Sequence, residues 1–191
     1  MTSVQEEKQK LRDKVLAKRQ QLSEQQWLNK SNQIIQSLVD SDVYKKSGVI
    51  HTYVSMNERR EVCTDNLLIH LFDDKKRVVV PITNFSDNTL SHSEIDAENE
   101  LVANNWGVRE PKTINPVEIS EIDLIIVPMA AADKDGNRLG YGRGFYDRFL
   151  DMTEATKIGL TFDKFLFDKV PVEEFDVKLD VIITEEVVIF T

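Results

Sequence analysis

The sequence predicts an α/β fold of three layers, with a mostly parallel central sheet and helices on both faces. Apolar runs rich in Val, Ile and Leu, such as IDLIIV (122–127), have the length of strands and lack polar alternation, which is typical of strands buried on both faces. Segments with helical spacing separate these runs, and that alternation favours parallel strands joined by helices. Such sheets bind ligands beyond the carboxyl ends of their strands, where we expect the ligand site.

Four segments carry helix signals. Residues 3–22 have a narrow apolar stripe at helical spacing, and Ser23 with Gln26 forms a capping box for a second helix. A third helix is predicted to begin near Thr64, and a fourth at FYDRFL (145–150). We also expect a helix near Glu98, inside an otherwise polar stretch.

Six apolar runs are predicted strands: 48–54, 77–81, 123–128, 157–162, 180–184 and 187–191. Pro81 is expected to close the second strand because proline has no N–H to donate. The polar stretch 82–119 is expected to hold a short strand pair. Since there is no linker or repeat, residues 1–191 are predicted to form a single domain.

Composition narrows the function classes. The 191 residues are 41% hydrophobic and 30% charged, as in soluble globular proteins, and no apolar run approaches the ~20 residues that cross a membrane. A net charge of −9 argues against binding nucleic acid. Cys63 is the only cysteine, which excludes an internal disulfide and fits a reducing cytoplasm. We expect a cytoplasmic monomer without membrane or nucleic-acid partners.

The segment 128–150 contains four of the seven glycines of the chain. Backbone N–H groups at Gly140, Gly142 and Gly144 can form a concave anion site, and the start of the following helix adds positive partial charge. A plain strand-to-helix turn is the alternative, although such turns need fewer glycines and are rarely this long. The pattern favours a phosphate-bearing ligand.

Charged side chains in and near this loop suit a nucleoside triphosphate. Arg138 and Arg143 can donate to phosphate, and Asp147 offers a hard oxygen to Mg²⁺, although an acid in a first helical turn is also favoured by the helix dipole alone. Lys8 and Arg12, four residues apart, share one helix face that could simply be solvated. A Walker A motif is absent from the sequence.

The three histidines, His51, His70 and His92, show no metal-ligand spacing, and we expect each of them to be structural. Glu61 lies in a charged cluster, ERRE, that follows a predicted strand, where an exposed acid is the simplest interpretation.

Several motifs, in the right order, resemble the 5-formyltetrahydrofolate cyclo-ligase family, also called 5,10-methenyltetrahydrofolate synthetases. RLGYGRGFYD (138–147) is similar to the family signature R-L-G-x-G-x-G-[YF]-Y-D, although Met129 and Ala132 replace a Gly and a Phe upstream of it. The other similar segments are KQKLRDKVLAKR (8–19), VSMNERREVCT (54–64), NWGVREP (105–111) and VPVEEFDVKLDVIITE (170–185).

The resemblance implies that the chain converts 5-formyltetrahydrofolate and ATP into 5,10-methenyltetrahydrofolate, ADP and phosphate, with Mg²⁺. It implies catalytic roles for Arg138, Arg143 and Tyr146. It also implies that Asp147 and Asp176 hold the metal ion, with Asp180 as a weaker candidate. The residues implied to bind ATP are Lys8, Lys10, Leu11, Arg12, Arg138, Leu139, Gly140, Tyr141, Gly142, Arg143, Gly144, Phe145 and Tyr146.

The residues implied to bind the folate are Val54, Glu61, Tyr141, Gly142, Arg143, Gly144 and Phe145. Two extra residues precede the acid in VSMNERREVCT, so Glu58 is an alternative to Glu61. Two other functions stay open: an enzyme on a related scaffold, such as a sugar-phosphate isomerase or a CoA-transferase relative, and a non-catalytic regulator that binds ATP and folate.

Overall fold

The structure is a computed structural model that describes residues 3–104 and 106–191. Over these residues the α-helices are α1 (Ser3–Arg19), α2 (Glu24–Asp40), α3 (Asp42–Lys46), α4 (Asp65–Asp73) and α5 (Phe145–Leu150). The strands are β1 (Val49–Thr52), β2 (Arg77–Asn84), β3 (Thr89–Ile95), β4 (Leu101–Ala103), β5 (Arg109–Pro111), β6 (Leu124–Val127), β7 (Ala131–Asp133), β8 (Arg138–Leu139), β9 (Thr156–Leu160), β10 (Leu166–Phe167), β11 (Val181–Ile183) and β12 (Val188–Phe190).

A seven-stranded sheet, in the order β12-β11-β9-β6-β1-β2-β3, forms the centre of the molecule. Its five inner strands are parallel, whereas the two edge strands β3 and β12 pair antiparallel to their neighbours. In the middle of the sheet Ile50 lies opposite Val78 on one side and Leu124 on the other. The predicted mostly parallel sheet is confirmed.

Successive residues of a strand point to opposite faces of the sheet. Both faces of this sheet therefore carry apolar side chains, and helices cover both. On one face, Ile34 of α2 and Leu67 of α4 belong to the same buried cluster as Ile50. On the other face, Phe149 of α5 is buried with Ile125. The three-layer α/β architecture is therefore as predicted. In the part of the chain described here, no helix is long and apolar enough to cross a membrane.

The predicted capping box of α2 is present, since the Gln26 N–H donates to Ser23 Oγ at 3.2 Å and the Ser23 N–H donates to Gln26 Oε1 at 3.0 Å. α4 begins at Asp65, next to Thr64, and α5 spans the predicted residues. α1 ends at Arg19, three residues earlier than the pattern predicts.

Two predictions in the middle of the chain are wrong. β2 continues through Pro81 to Asn84, because its pairing with β1 stops at Val79 and only the antiparallel partner β3 follows it further. Glu98 lies in a turn instead of a helix. Asp96 Oδ1 accepts from the Glu98 N–H at 2.9 Å, so a side chain satisfies the backbone that a helix would have used. The expected strand pair is present as β4 and β5.

The stretch between β6 and α5 folds as a small hairpin, which the sequence did not indicate. β7 and β8 pair antiparallel, and β10 adds to β7 as a third strand. Strands of two or three residues are too short to show an apolar alternation. The hairpin buries Arg138 and Leu139 at the start of residues 138–144, called the glycine segment below because it contains Gly140, Gly142 and Gly144.

Two of the histidines form a buried pair. The rings of His51 and His92 lie 5.2 Å apart, and both pack on Phe149. Their four ring nitrogens have no hydrogen-bond partner among the described residues. Burial, with the neighbouring His92, lowers the pKa of His51. Burial lowers the pKa of His92 to about 4.

This pair predicts a loss of stability in mild acid. In the unfolded chain a histidine takes up a proton near pH 6.5, whereas His92 in the folded protein does so only near pH 4. The stabilisation is therefore full above about pH 6.5 and is lost as the pH falls toward 4, by up to about 3 kcal/mol for His92. Urea unfolding of the wild type and His92→Gln at pH 7, 6 and 5 measures it. We expect the free energy of unfolding to depend less on pH in His92→Gln than in the wild type. An equal pH dependence in the two proteins would contradict this account.

Candidate active site

A cavity of about 620 Å³ opens at the carboxyl ends of the parallel strands. Tyr53 and Val54 line it just beyond β1, Pro81 and Thr83 line it from β2, and Pro128 lines it just beyond β6. This is the edge at which the fold class predicted a ligand site. Val54, one of the predicted folate contacts, is buried in the cavity wall.

The glycine segment lines the cavity and contacts α1 through Arg12. Gly142 (φ +91°) and Gly144 (φ +70°) adopt left-handed backbone conformations that side chains rarely allow. A Cβ on Gly142 would also lie 3.1 Å from Cζ of Arg12. The backbone conformation therefore favours glycine at both positions, and at Gly142 the Arg12 guanidinium also lies close to the backbone.

Arg138 and Asp147 form an ion pair in the cavity wall. Arg138 Nη2 lies 2.5 Å from Asp147 Oδ1, and the arginine is only 4% exposed. Burial lowers the pKa of Arg138, and the Asp147 carboxylate acts against it. Arg138 Nε has no partner among the described residues. The Arg138 guanidinium thus keeps one N–H group that donates to no other described residue, beside the Asp147 carboxylate.

The buried side of α1 carries three cations beside the predicted apolar stripe, of which Val15 is buried and Leu11 and Leu22 pack against the core. Its buried residues are Lys8, Arg12, Val15 and Arg19. Lys8 Nζ lies 3.0 Å from Glu173 Oε2, and Arg12 Nε donates to Gly140 O at 2.9 Å. The alternative of a solvated face for Lys8 and Arg12 is therefore wrong.

Lys10 and Leu11, the two other α1 residues implied to bind ATP, do not lie among these buried cations. Lys10 is exposed and does not line the cavity, and Leu11 packs against the core.

Glu61 is a buried carboxylate with one unused oxygen. It is 3% exposed, its Oε2 accepts from the Met56 N–H at 2.6 Å, and its Oε1 has no hydrogen-bond partner among the described residues. Burial raises the pKa of Glu61, while the positive charge of Arg19 and the Tyr141 hydroxyl lower it. Glu58 is exposed and outside the cavity wall. Of the two alternatives, only Glu61 faces the cavity.

Asp147 and Asp176 both line the cavity, but each is paired with a cation. Asp176 Oδ2 lies 2.5 Å from Lys8 Nζ and also accepts from the Glu173 N–H at 2.7 Å. Within residues 3–104 and 106–191, no group of three His, Cys, Asp or Glu side chains could hold a metal ion. Mg²⁺ commonly takes only one or two carboxylates and completes its shell with phosphate and water. The two aspartates fit a metal ion that arrives with a phosphate ligand.

Asp180, the weaker metal candidate, lies elsewhere. It is exposed next to the first residue of β11, and its carboxylate accepts from the Lys157 N–H at 2.7 Å. That contact is at the amino ends of the strands and outside the cavity wall. The structure does not bring Asp180 to the other aspartates.

An aromatic wall, made of Phe85, Trp106 and Phe145, forms another side of the cavity. Phe85 stacks on Trp106 at 4.9 Å between ring centroids, and Phe145 meets Phe85 edge-on at 5.7 Å. The Arg143 guanidinium lies over Trp106 at 4.9 Å. Phe85 and Trp106 were not predicted as site residues, although large aromatics in the polar stretch 82–119 were a usable signal.

Tyr141, within the glycine segment, and Tyr146, in α5, both line the cavity. The Tyr146 hydroxyl is buried and has no partner among the described residues, whereas Tyr141 Oη accepts from Arg19 Nη2 at 2.8 Å. Burial raises the pKa of both tyrosines, so they remain neutral donors. Leu139 is buried beside them.

Comparison with known proteins agrees with this geometry. Residues 4–185 match the model of the 5-formyltetrahydrofolate cyclo-ligase family. The chain is 36% identical to 5-formyltetrahydrofolate cyclo-ligase from Escherichia coli K12 over 130 residues, which is 65% of this chain and 71% of the relative. It is 27% identical over 192 residues to the Mus musculus enzyme of the same name, covering 94% of each chain.

A solved structure extends the similarity to the fold. The structure of 5,10-methenyltetrahydrofolate synthetase from Aquifex aeolicus superposes with a TM-score of 0.85 at 31% identity, covering 96% of this chain and 92% of the other. The synthetase from Mycoplasma pneumoniae gives a TM-score of 0.73 at 28% identity, covering 93% and 98%. The chain described here belongs to the 5-formyltetrahydrofolate cyclo-ligase family.

Proposed function

We propose that this enzyme uses MgATP to cyclise 5-formyltetrahydrofolate to 5,10-methenyltetrahydrofolate, with release of ADP and phosphate. Family membership supports cyclo-ligase activity on this folate. One structural observation supports the proposed use of ATP. The cavity joins a buried carboxylate with a free oxygen, Glu61, to a Gly/Arg loop facing the cations of α1. One end of the cavity thus suits a polar ring, and the other suits phosphates.

The chemistry explains why ATP is needed. The formyl oxygen on N5 is a poor leaving group, so N10 cannot displace it directly. Transfer of the γ-phosphoryl group to that oxygen gives an imidate-like phosphate on the formyl carbon. The N10 lone pair then attacks this carbon, the C–O bond breaks, and N10 loses its proton as phosphate leaves.

Positioning and charge are what the protein must supply, since phosphoryl transfer needs no protein nucleophile. Lys8, Arg12, Arg138 and Arg143 would donate to the phosphates. Asp147 and Asp176 would hold Mg²⁺, which would neutralise phosphate charge. The Tyr146 hydroxyl, without a partner in the cavity wall, would donate to an oxygen of the reacting group.

The folate would occupy the other end of the cavity. The free Glu61 oxygen and its hydrogen-bonded neighbour can accept together from adjacent N–H donors of the pterin. Val54 would pack against the ring, and Phe85 and Trp106 offer flat faces to the aromatic part of the ligand. This division predicts that changes at Glu61 affect folate and changes at Arg138 affect ATP.

A turnover assay tests the proposal. Protein mixed with 5-formyltetrahydrofolate and MgATP should produce the absorbance of the methenyl product together with one ADP per product, and omission of ATP should abolish it. Neither methenyl product nor ADP, with no binding of folate or MgATP, would favour the isomerase-like or CoA-transferase-like alternative, which acts on other substrates. Binding of both ligands without turnover would favour a regulator.

Lysine substitutions test the two loop arginines. Arg138→Lys and Arg143→Lys keep the charge but lose the planar fork that donates to two phosphate oxygens at once. We expect the kcat/KM for ATP to fall by about tenfold or more in each, on the scale of one lost charge-assisted hydrogen bond. Arg77→Lys is the control, because Arg77 pairs with Glu94 and Glu121 outside the cavity. Unchanged ATP kinetics in both loop variants would remove these arginines from the site.

A further inference from the structure

We propose that Arg19, at the end of α1, is a positioning residue for folate recognition that fixes the Tyr141 hydroxyl and the charge of Glu61. The inference rests on the proposed function and deepens it, because it names a residue that acts on the pterin end of the cavity without touching ligand. Arg19 does not line the cavity, whereas Glu61 and Tyr141 do.

Three hydrogen bonds tie the Arg19 guanidinium to three different segments of the cavity wall. Nη2 donates to Tyr141 Oη at 2.8 Å, Nη1 donates to Met129 O at 3.1 Å, and Nε donates to Arg59 O at 3.2 Å. Arg59 lies in the turn that precedes Glu61, Met129 follows β6, and Tyr141 is in the glycine segment. One side chain thus ties the turn before Glu61 to the loop after β6 and to the glycine segment.

Two guanidinium groups also lie near the ring of Tyr141. Cζ of Arg19 lies 5.8 Å from the centroid of the Tyr141 ring, and Cζ of Arg59 lies 5.9 Å from it. Cations over an aromatic face are attracted to the ring. Arg19 therefore contacts both the ring and the hydroxyl of Tyr141.

The charge of Arg19 has an unusual environment. Arg19 is 2% exposed, and its three hydrogen-bond acceptors are neutral oxygens. A buried charge is costly unless another charge compensates it. Glu61 is a buried carboxylate that likewise lacks an ion pair within the described residues, and it is among the groups that favour the charged form of Arg19. Each of the two buried charges therefore favours the charged form of the other.

Other groups around Glu61 do not replace this effect. Burial raises the pKa of Glu61, and Arg19 is the strongest influence in the opposite direction. The Tyr141 hydroxyl, the Met56 N–H and Arg59 lower that pKa less. Glu61 in turn raises the pKa of Tyr53 and Tyr146, which remain neutral. Without Arg19 we expect Glu61 to take up a proton at higher pH and to lose its capacity to accept from pterin donors.

The test uses Arg19→Gln, Arg19→Lys, Glu61→Gln and the double variant Arg19→Gln/Glu61→Gln. Lys18→Gln is the matched control, since Lys18 is an exposed cation in the same helical turn. For each variant we measure the thermal midpoint, the affinity for 5-formyltetrahydrofolate by calorimetry, the KM for each substrate, and the pH profile of kcat/KM for the folate.

Arg19→Gln should weaken folate binding about tenfold or more, change the KM for ATP less than about twofold, and move the acidic limb of the pH profile to higher pH. Arg19→Lys should restore the acidic limb but only part of the affinity, since it keeps the charge and cannot make all three bonds. In the Glu61→Gln background, Arg19→Gln should have little further effect on folate affinity, because interacting residues are not additive.

A purely structural role gives different results. The inference is overturned if Arg19→Gln lowers the thermal midpoint with an unchanged pH profile, weakens both substrates equally, or adds its full effect in the Glu61→Gln background. If Arg19→Gln does not fold, Arg19→Lys and its pH profile decide the question. Folate binding without turnover in the wild type would overturn the proposed function alone, and the coupling of Arg19 to Glu61 would still be measured by calorimetry. Absence of both binding and turnover would overturn both.

Discussion

Replacement of Asp147 by asparagine is expected to lower turnover by about 10²-fold or more, which is the scale of removing one electrostatic stabiliser of a transition state. Asp147 lies in the first turn of α5 and lines the cavity, with 19% of its side chain exposed. Asparagine preserves the shape and can still accept a hydrogen bond from Arg138, but it removes the charge that would hold Mg²⁺. We expect a folded protein with a modestly lower thermal midpoint, because the buried Arg138 loses its ion pair.

Asp151→Asn is the matched control, since Asp151 is exposed at the other end of the same helix. The measurement is kcat as a function of Mg²⁺ concentration, beside the thermal midpoint of each variant. We expect the loss in Asp147→Asn to persist at saturating Mg²⁺ and to be absent from the control. Near-wild-type activity at every Mg²⁺ concentration would show that Asp147 does not hold the metal ion.

Glu61→Gln is expected to weaken binding of 5-formyltetrahydrofolate by ~1–3 kcal/mol, through loss of charge-assisted hydrogen bonds to the pterin. Nucleotide affinity should stay the same, because Glu61 is not part of the Arg138–Asp147 ion pair and its hydrogen-bonded oxygen accepts from the Met56 N–H. Separate calorimetric titrations with folate and with MgATP measure both affinities.

The exposed Glu58 provides the comparison for this experiment, and Glu58→Gln should leave both affinities unchanged. If Glu58→Gln weakens folate binding and Glu61→Gln does not, Glu58 is the acid that corresponds to the family motif. Equal losses for folate and nucleotide at Glu61→Gln would indicate that the substitution disturbs the whole cavity.

The features that the sequence predicted well are those encoded in neighbouring residues. The capping box of α2 depends on Ser23 and Gln26 alone. The buried parallel strands are visible as apolar runs, and the left-handed conformations at Gly142 and Gly144 follow from residues that tolerate them. The family motifs implied that Lys8 and Arg12 bind ATP, and both side chains are buried in the cavity wall, where Arg12 Nε donates to Gly140 O.

The features that were missed depend on contacts between distant parts of the chain. Arg19 and Tyr141 are 122 positions apart, and nothing near Arg19 shows that this residue, unlike the exposed Lys18, is buried. The cationic inner side of α1 is stable only because carbonyls and carboxylates of later segments face it. The turn at Glu98 formed because Asp96 bonds the local backbone, which a helix pattern does not reveal.

Transfer of the formyl oxygen to phosphate tests the account most directly. The enzyme would be given MgATP and 5-formyltetrahydrofolate labelled with ¹⁸O in the formyl group, in ordinary water, and the released phosphate would be analysed by mass spectrometry. If the formyl oxygen is phosphorylated before N10 closes the ring, each phosphate carries one ¹⁸O and appears together with one ADP and one methenyl product. Phosphate that contains only oxygen from ATP and water would contradict the proposed mechanism.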